Sequence, residues 1–289
     1  MKRSSWLLLL VAALLVGAAA CDGGASLPKL LVPATPTSTP TVTPLPTLTP
    51  TSTPWPTATP LPPDTGWQSV HPGIEVRSLN VPASESVERI TVSRLDPAQV
   101  RFRVLYTPGV AYPVSVWARQ TGALLVVNGG YFTAENVVTG LTITDGEVYG
   151  DPYGDYAGMF SVAYDEGVAL RWLRAWPYSP TESVRDGIQS FPVLVKPGGV
   201  MGFPADGDDG RASRRTVIAQ DTQGRVLILI APRGYLSLHA LAVWLAGSDL
   251  GVDIALNLDG GTSSGFWMEG GPTVDSMIAV PVVIAVYAR

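Results

Sequence analysis

Val252-Asp253-Ile254-Ala255-Leu256-Asn257-Leu258-Asp259-Gly260-Gly261-Thr262-Ser263-Ser264 is an apolar run that stops at an amide and a carboxylate, with two glycines and three hydroxyls directly behind. Read with period two, Ile254, Leu256 and Leu258 share one face, and Ala255, Asn257 and Asp259 share the other. A strand so patterned delivers Asn257 and Asp259 together at its C-terminal end. The Gly260-Gly261 pair lets the backbone take positive φ and lets a ligand approach the main chain. Successive N–H groups in such a turn form an anion-binding nest, to which Thr262, Ser263 and Ser264 add hydroxyls. The same residues also read as a strand closing in an ordinary Asp-Gly turn. Spacing alone does not choose between turn and site.

Immediately upstream, Ser237 caps a helix whose Leu238, Leu241, Ala242 and Leu245 form an i, i+3, i+4, i+7 stripe. Gly247 and Gly251 flank its exit into the strand. The same plan occurs earlier. Pro113 opens a helix that ends at Gly122, Ala123 to Val127 is apolar throughout, and Asn128-Gly129-Gly130-Tyr131-Phe132 follows. The sequences around the two units differ, so this is a recurring local solution and not a duplicated domain. If both strands run parallel in one sheet, Asn128 and Asp259 meet at its carboxyl edge, where open α/β sheets hold ligands.

Elsewhere β signals dominate. Residues 76–81, 88–94 and 100–106 read as strands bounded by Pro82, Asp96-Pro97 and Pro108-Gly109. Residues 140–144 before Asp145-Gly146 give half a hairpin, and 160–164 with 169–173 give a whole one around Asp165-Glu166-Gly167. Further strands are expected at 191–196, 217–220, 226–230 and 277–287, the last interrupted by Pro281. The predicted fold class is α+β, mixed, with strand-rich sheets and a few packed helices.

The chain begins with Lys2 and Arg3, an apolar stretch from Trp6 to Val16, and Gly17-Ala18-Ala19-Ala20 before Cys21. That is a secretory signal, short for a membrane-spanning helix of ~20 residues. Cys21 is the single cysteine, so no intrachain disulfide forms. Its place after three alanines resembles the bacterial lipoprotein signal, which implies lipidation of Cys21 and an extracytoplasmic, membrane-anchored protein. Residues 33–63 are almost wholly Pro, Thr, Ser and Leu. Proline at this density excludes helix and central strand. The segment reads as a polyproline-II-like spacer reaching on the order of 90 Å at ~3.1 Å per residue. The expected layout is a signal at 1–21, a stalk at 22–66 and one globular domain at 67–289. Formal charge is −5, and two units more negative once Lys2 and Arg3 leave with the signal. Nucleic acid is a poor partner for such a surface. An anionic ligand must be met by local groups. Oligomeric state is not legible.

Several chemistries lack their residues. Asp206, Asp208 and Asp209 in the loop 202–213 miss the EF-hand spacing and read as a solvated acidic loop. His71 and His239 are the only histidines, and with Cys21 taken by the anchor no zinc cluster can form. His239 falls within the predicted helix. Neither metal nor cofactor is called for.

Four segments, in this order and spacing, resemble the phosphodiester glycosidase domain family. They are residues 128–132, Arg215-Thr216-Val217-Ile218-Ala219, the helix entered through Ser237-Leu238, and residues 257–264. Thr262 stands where family members usually carry a third glycine, and Tyr131 where phenylalanine is commoner. The resemblance implies hydrolysis of the bond between a sugar's anomeric carbon and a phosphodiester oxygen, with a carbohydrate phosphodiester as substrate. Asp259 is then the candidate carboxylate. Arg215 is the candidate phosphate ligand, since a guanidinium matches phosphate oxygens two at a time. Arg214 is expected on the opposite side of the strand, solvated. Asn128, Gly129, Gly130, Asn257, Gly260, Gly261, Thr262 and Ser263 are expected to line the substrate. Glycosidases generally use paired carboxylates, and Asp145, Glu135 and Asp253 are the candidates for a second. The rival reading is a non-catalytic glycan- or phosphate-binding module displayed on the stalk.

Overall fold

The computed structural model describes residues 62–289. Cys21, the signal and nearly all of the stalk lie outside the described residues. Three antiparallel sheets make up the domain. The largest has eight strands in the spatial order Gln68–His71, Ile74–Ala83, Ser86–Leu95, Val226–Leu236, Ser213–Asp221, Val252–Asn257, Val193–Lys196 and Val200–Met201. A five-stranded sheet runs Thr273–Val274, Phe266–Met268, Leu125–Asn128, Val282–Ala288 and Val100–Tyr106. The other five-stranded sheet runs Glu147–Tyr149, Thr142–Thr144, Val184–Ser190, Gly158–Ala163 and Val168–Trp172.

Alternation of apolar residues explains how these sheets stack. Ile218, Ile228, Ile254 and Leu256 of the large sheet meet Phe102, Leu125, Val127 and Ile284 of the second and Phe160 and Ile188 of the third in one central core. The outer face of the large sheet, with Val217, Ala219, Leu229 and Ala255, is covered by α2 (Leu238–Gly247) through Leu241, Ala242 and Leu245. Burying each of those leucines contributes about 2 kcal/mol. The outer face of the second sheet, with Val126, Val283 and Ala285, is covered by α1 (Val114–Thr121) through Val114, Trp117 and Ala118. Both helices end as their sequences direct. Gly122 takes the left-handed conformation, φ 65°, after α1, and the Ser237 side chain accepts from the Ala240 N–H at the start of α2.

The architecture is therefore mostly β, and the expectation of a mixed α+β fold holds only for its strand-rich sheets and two packed helices. The parallel arrangement is overturned. Val252–Asn257 and Leu125–Asn128 lie in different sheets, each between antiparallel neighbours. The helices that precede them pack on the outer faces instead of acting as crossovers within one sheet. Contacts also begin earlier than residue 67. Asp64 bridges to Leu79 and its carboxylate holds Arg77 at 2.6 Å. The final strand starts at Val282, after Pro281.

Candidate active site

Val217 stands opposite Asn257 in the antiparallel pair Ser213–Asp221 and Val252–Asn257, and the Leu258 N–H donates to the Thr216 carbonyl at 2.9 Å. Arg215 lies two residues before Val217 and Asp259 two after Asn257, where the chain leaves the pair and the Asp259 N–H donates to the Gly129 carbonyl at 3.0 Å. Period two puts both on the face that bears Val217, Ala219 and Ala255, the side covered by α2. Gly260, the residue after Asp259, lies beside Arg215: a Cβ built there would lie 3.8 Å from Arg215 Nη1.

Asp259 is half-buried. Its Oδ1 accepts from the Gly260 N–H at 2.8 Å. Burial raises its pKa above the ordinary carboxylate value, while the Ser263 hydroxyl and the Gly260 N–H pull it back. The expected anion nest is thus partly used within the protein, since the Gly260 N–H belongs to Asp259. Gly261, at φ 62°, opens a short 3-10 turn to Ser263, and the Gly261 and Thr262 N–H groups donate to no protein acceptor among the described residues. Thr262 is exposed and Ser263 buried.

Arg215 donates from Nη2 to the Arg211 carbonyl at 2.7 Å and from Nε to the Leu236 carbonyl at 3.3 Å. Among the described residues no carboxylate lies within salt-bridge distance of it, and backbone carbonyls orient its charge. Burial lowers its pKa from the usual arginine value, with Tyr131, Asp208 and Asp209 acting the other way. An arginine stays protonated regardless. Its guanidinium lines a cavity of about 730 Å³ together with Phe203, Asp208, Asp209, Arg211, Ser213 and Leu238.

A second cavity, about 500 Å³, shares the Phe203, Gly207 and Leu238 wall and is lined by Tyr131, Tyr156, Trp172, Phe191 and Lys196. Asp259 itself lines neither. Its neighbours Arg215 and Tyr131 line the first and the second, and after burial it is the Asp259 charge that raises the Tyr131 pKa most. The Tyr131 hydroxyl donates to the Phe191 carbonyl at 2.8 Å and accepts from Asn257 Nδ2 at 2.9 Å. Asn257 also donates to the Phe191 carbonyl at 3.1 Å, and its Oδ1 is buried without a protein donor.

Asn128, expected on the substrate, is a latch between loops. It is 1% exposed. Its Nδ2 donates to the Asp259 carbonyl at 2.8 Å, and its Oδ1 accepts from Thr216 Oγ1 at 2.8 Å and the Gly265 N–H at 3.0 Å. The Asp259 N–H returns a bond to the Gly129 carbonyl at 3.0 Å. So Asn128 and Asp259 do meet, across two sheets instead of along one edge. Gly129 and Gly130 are packing glycines: a Cβ on Gly129 would meet Ile188 Cδ1 at 2.9 Å, and one on Gly130 the Gln189 carbonyl at 3.3 Å.

Arg214 does leave the strand on the other side, but it is not solvated. Its Nη2 donates to the Ser264 carbonyl at 2.6 Å and the Asp275 carbonyl at 3.0 Å, and its Nε is buried without a partner. It braces the turn that follows Asp259. Of the acidic candidates, Asp145 pairs with Arg103 at 3.4 Å, Glu135 is exposed, and Asp253 accepts from the Gly198 N–H at the far end of the strand. None lines either cavity. The carboxylates facing Arg215 are Asp208 and Asp209, from the loop read as solvated. Asp208 Oδ1 is buried without a hydrogen-bond partner. His239 holds that loop, its Nδ1 2.9 Å from the Phe203 carbonyl. Only the acidity of the loop signalled this in the sequence.

A mostly-β domain with an arginine beside the turn that follows a half-buried carboxylate, flanked by a polar and an aromatic cavity, frames the candidate site. The chain belongs to the phosphodiester glycosidase family, whose model matches residues 121–287, and the resemblance read from the sequence is confirmed. This is a family of glycosidase-type hydrolases. No curated protein matches the chain. Among solved structures it is similar to the zebrafish N-acetylglucosamine-1-phosphodiester alpha-N-acetylglucosaminidase catalytic domain auto-inhibited by its pro-peptide, at 18% identity and a TM-score of 0.59, covering 77% of this chain and 86% of that one. It is also similar to a hypothetical protein from Synechocystis, at 16% identity and a TM-score of 0.56, covering 75% of this chain and 62% of that one. The chain thus spans under two thirds of the Synechocystis protein. At these identities the likeness is one of fold.

Proposed function

We propose that the protein is an extracytoplasmic hydrolase, lipid-anchored through Cys21, that cleaves the glycosidic bond of a sugar-1-phosphodiester in envelope or environmental glycans. One observation carries the chemistry: Arg215, with no carboxylate in salt-bridge distance among the described residues, lies against Gly260, the residue next to the half-buried Asp259. In this reading the Arg215 guanidinium takes the non-bridging oxygens of the phosphodiester, joined by the Gly261 and Thr262 N–H groups. Asp259 faces the anomeric carbon and stabilises the positive charge that develops there as the C1–O bond breaks. The phosphate monoester leaves with the bonding electrons. Water supplies hydroxide to C1 and a proton to the solution or the departing group. A phosphate monoester is a far weaker base than an alkoxide, so its departure asks more for charge stabilisation than for protonation. Tyr131 and Asn257 position the Asp259 side of the site, and Asn128 holds the two loops in place.

The test is a panel of sugar-1-phosphodiesters, including wall-polymer fragments, assayed for free sugar. Release by the wild-type chain, lost in Asp259→Asn and reduced in Arg215→Ala, supports the assignment. Full activity in both variants rejects the residue roles. Tight binding without turnover, measured by calorimetry, favours the non-catalytic binding module.

A further inference from the structure

Residues 62–289 contain a single lysine, Lys196, at the end of the strand Val193–Lys196. Its side chain makes no salt bridge or hydrogen bond among the described residues, although Arg215 and Arg174 on that side of the cleft are engaged. Arg215 is held by two carbonyls, and Arg174 lies 3.9 Å from Asp155. Lys196 lines the aromatic cavity, its Nζ 5.0 Å from the centre of the Trp172 ring. Trp172 and Phe191 are half-buried there, and Tyr156 is 57% exposed. Aromatic faces with one edge open suit the apolar face of a pyranose ring. An ammonium that is partly desolvated and unpaired suits an anion on that ring. Tyr131 lies in the same wall, and its hydroxyl accepts from Asn257, two residues before Asp259, at 2.9 Å, so a sugar whose C1 faces Asp259 extends into this compartment. The cavity's shared wall with the Arg215 cavity lets the phosphate enter one space while the ring occupies the other.

We infer that the aromatic compartment is the subsite for the sugar, and that it selects an anionic pyranose, with Trp172 and Tyr156 against the ring and Lys196 on a carboxylate or phosphate that the ring carries. The inference rests on the hydrolase reading for the identity of the scissile bond, but the compartment itself can be tested without it.

Two matched comparisons on the full chain separate the possibilities. Binding is read by ligand-observed NMR titration with methyl β-D-glucuronide, glucose 6-phosphate and methyl β-D-glucoside, none of which carries an anomeric phosphodiester. Turnover is read with UDP-glucuronate against UDP-glucose, which differ only at C6. The anionic sugars bind at least about fivefold tighter than the glucoside, the worth of one partly buried ion pair. The tighter of the two identifies the source of the charge. Lys196→Met brings the ratio close to one, Trp172→Ala weakens all three sugars, and Arg119→Met, the same loss of charge on a remote surface, leaves the ratio as it was. Equal binding of glucoside and glucuronide, or a preference that survives Lys196→Met, overturns the inference. Cleavage of sugar phosphodiesters with no preference for the anionic ring overturns it while the hydrolase reading stands. Lys196-dependent binding with no cleavage of any diester upholds the compartment and removes the hydrolase.

Discussion

Asn128→Ala distinguishes a latch from a ligand contact. The alanine removes an amide that is 1% exposed and strips partners from the Asp259 carbonyl, the Thr216 hydroxyl and the Gly265 N–H. Thr216 and Gly265 are buried, so water does not readily replace what is lost. Each bond contributes about 1 kcal/mol, and an orphaned buried group costs about 1–3 kcal/mol, so truncation destabilises the domain by about 3–4 kcal/mol. For a domain of this size that lowers the melting temperature by about 10 °C. Urea unfolding of wild type and variant, followed by tryptophan fluorescence, gives the difference directly. Thr216→Val, which deletes one of the bonds, costs about 1 kcal/mol in the same assay. A variant within about 0.5 kcal/mol of wild type that has nonetheless lost sugar binding refutes the latch and restores Asn128 to the substrate.

Asp259 sets the pH behaviour. Because burial raises its folded-state pKa, kcat/KM falls on the acid side at a pH above the ordinary carboxylate range, which a pH–rate profile checks; an acid limb at or below the normal aspartate value contradicts the role. For stability the sign is opposite: this group favours the folded state most below its unfolded pKa, and the contribution is lost as pH rises through the folded pKa. Asp259→Asn therefore gains stability relative to wild type as pH rises from the ordinary carboxylate range through the raised folded-state pKa, measured as melting temperature against pH. Gly129→Ala places a methyl 2.9 Å from Ile188 Cδ1 and 3.1 Å from both Val282 methyls, and costs about 1–3 kcal/mol in denaturant unfolding. On the proposed lipid anchoring, Cys21→Ala abolishes palmitate incorporation; label retained in that variant removes the anchor.

The face shared by Ala255, Asn257 and Asp259 was legible because period two is a local property, and the core facing of Ile254, Leu256 and Leu258 follows from it. The Ser237 cap and the Gly122 stop were legible for the same reason. Strand partners were not. A helix followed by an apolar strand reads alike whether the helix crosses over within a sheet or covers its outer face, and only long-range pairing decides. Val184–Ser190 was invisible as a strand because Arg185-Asp186-Gly187 looks like a turn; its buried Asp186 is tolerated because Arg103 and Arg185 hold it at 2.9 and 2.8 Å. The aromatic cavity draws Tyr131, Tyr156, Trp172 and Phe191 from separate strands and loops, with no spacing that could announce it. Lys196 carried a signal that is easy to pass over, since a lone lysine in a domain of arginines is visible by counting.

The central claim is that the chain breaks the bond at the sugar carbon and not the bond at phosphorus. Hydrolysis of a cleaved diester in water enriched in oxygen-18, with mass analysis of the phosphate monoester released, tests it most directly. Cleavage of C1–O predicts a phosphate monoester without the label, formed at a rate that Asp259→Asn lowers by about 10²–10⁴ and Arg215→Ala by about 10². A labelled phosphate shows attack at phosphorus and contradicts the account.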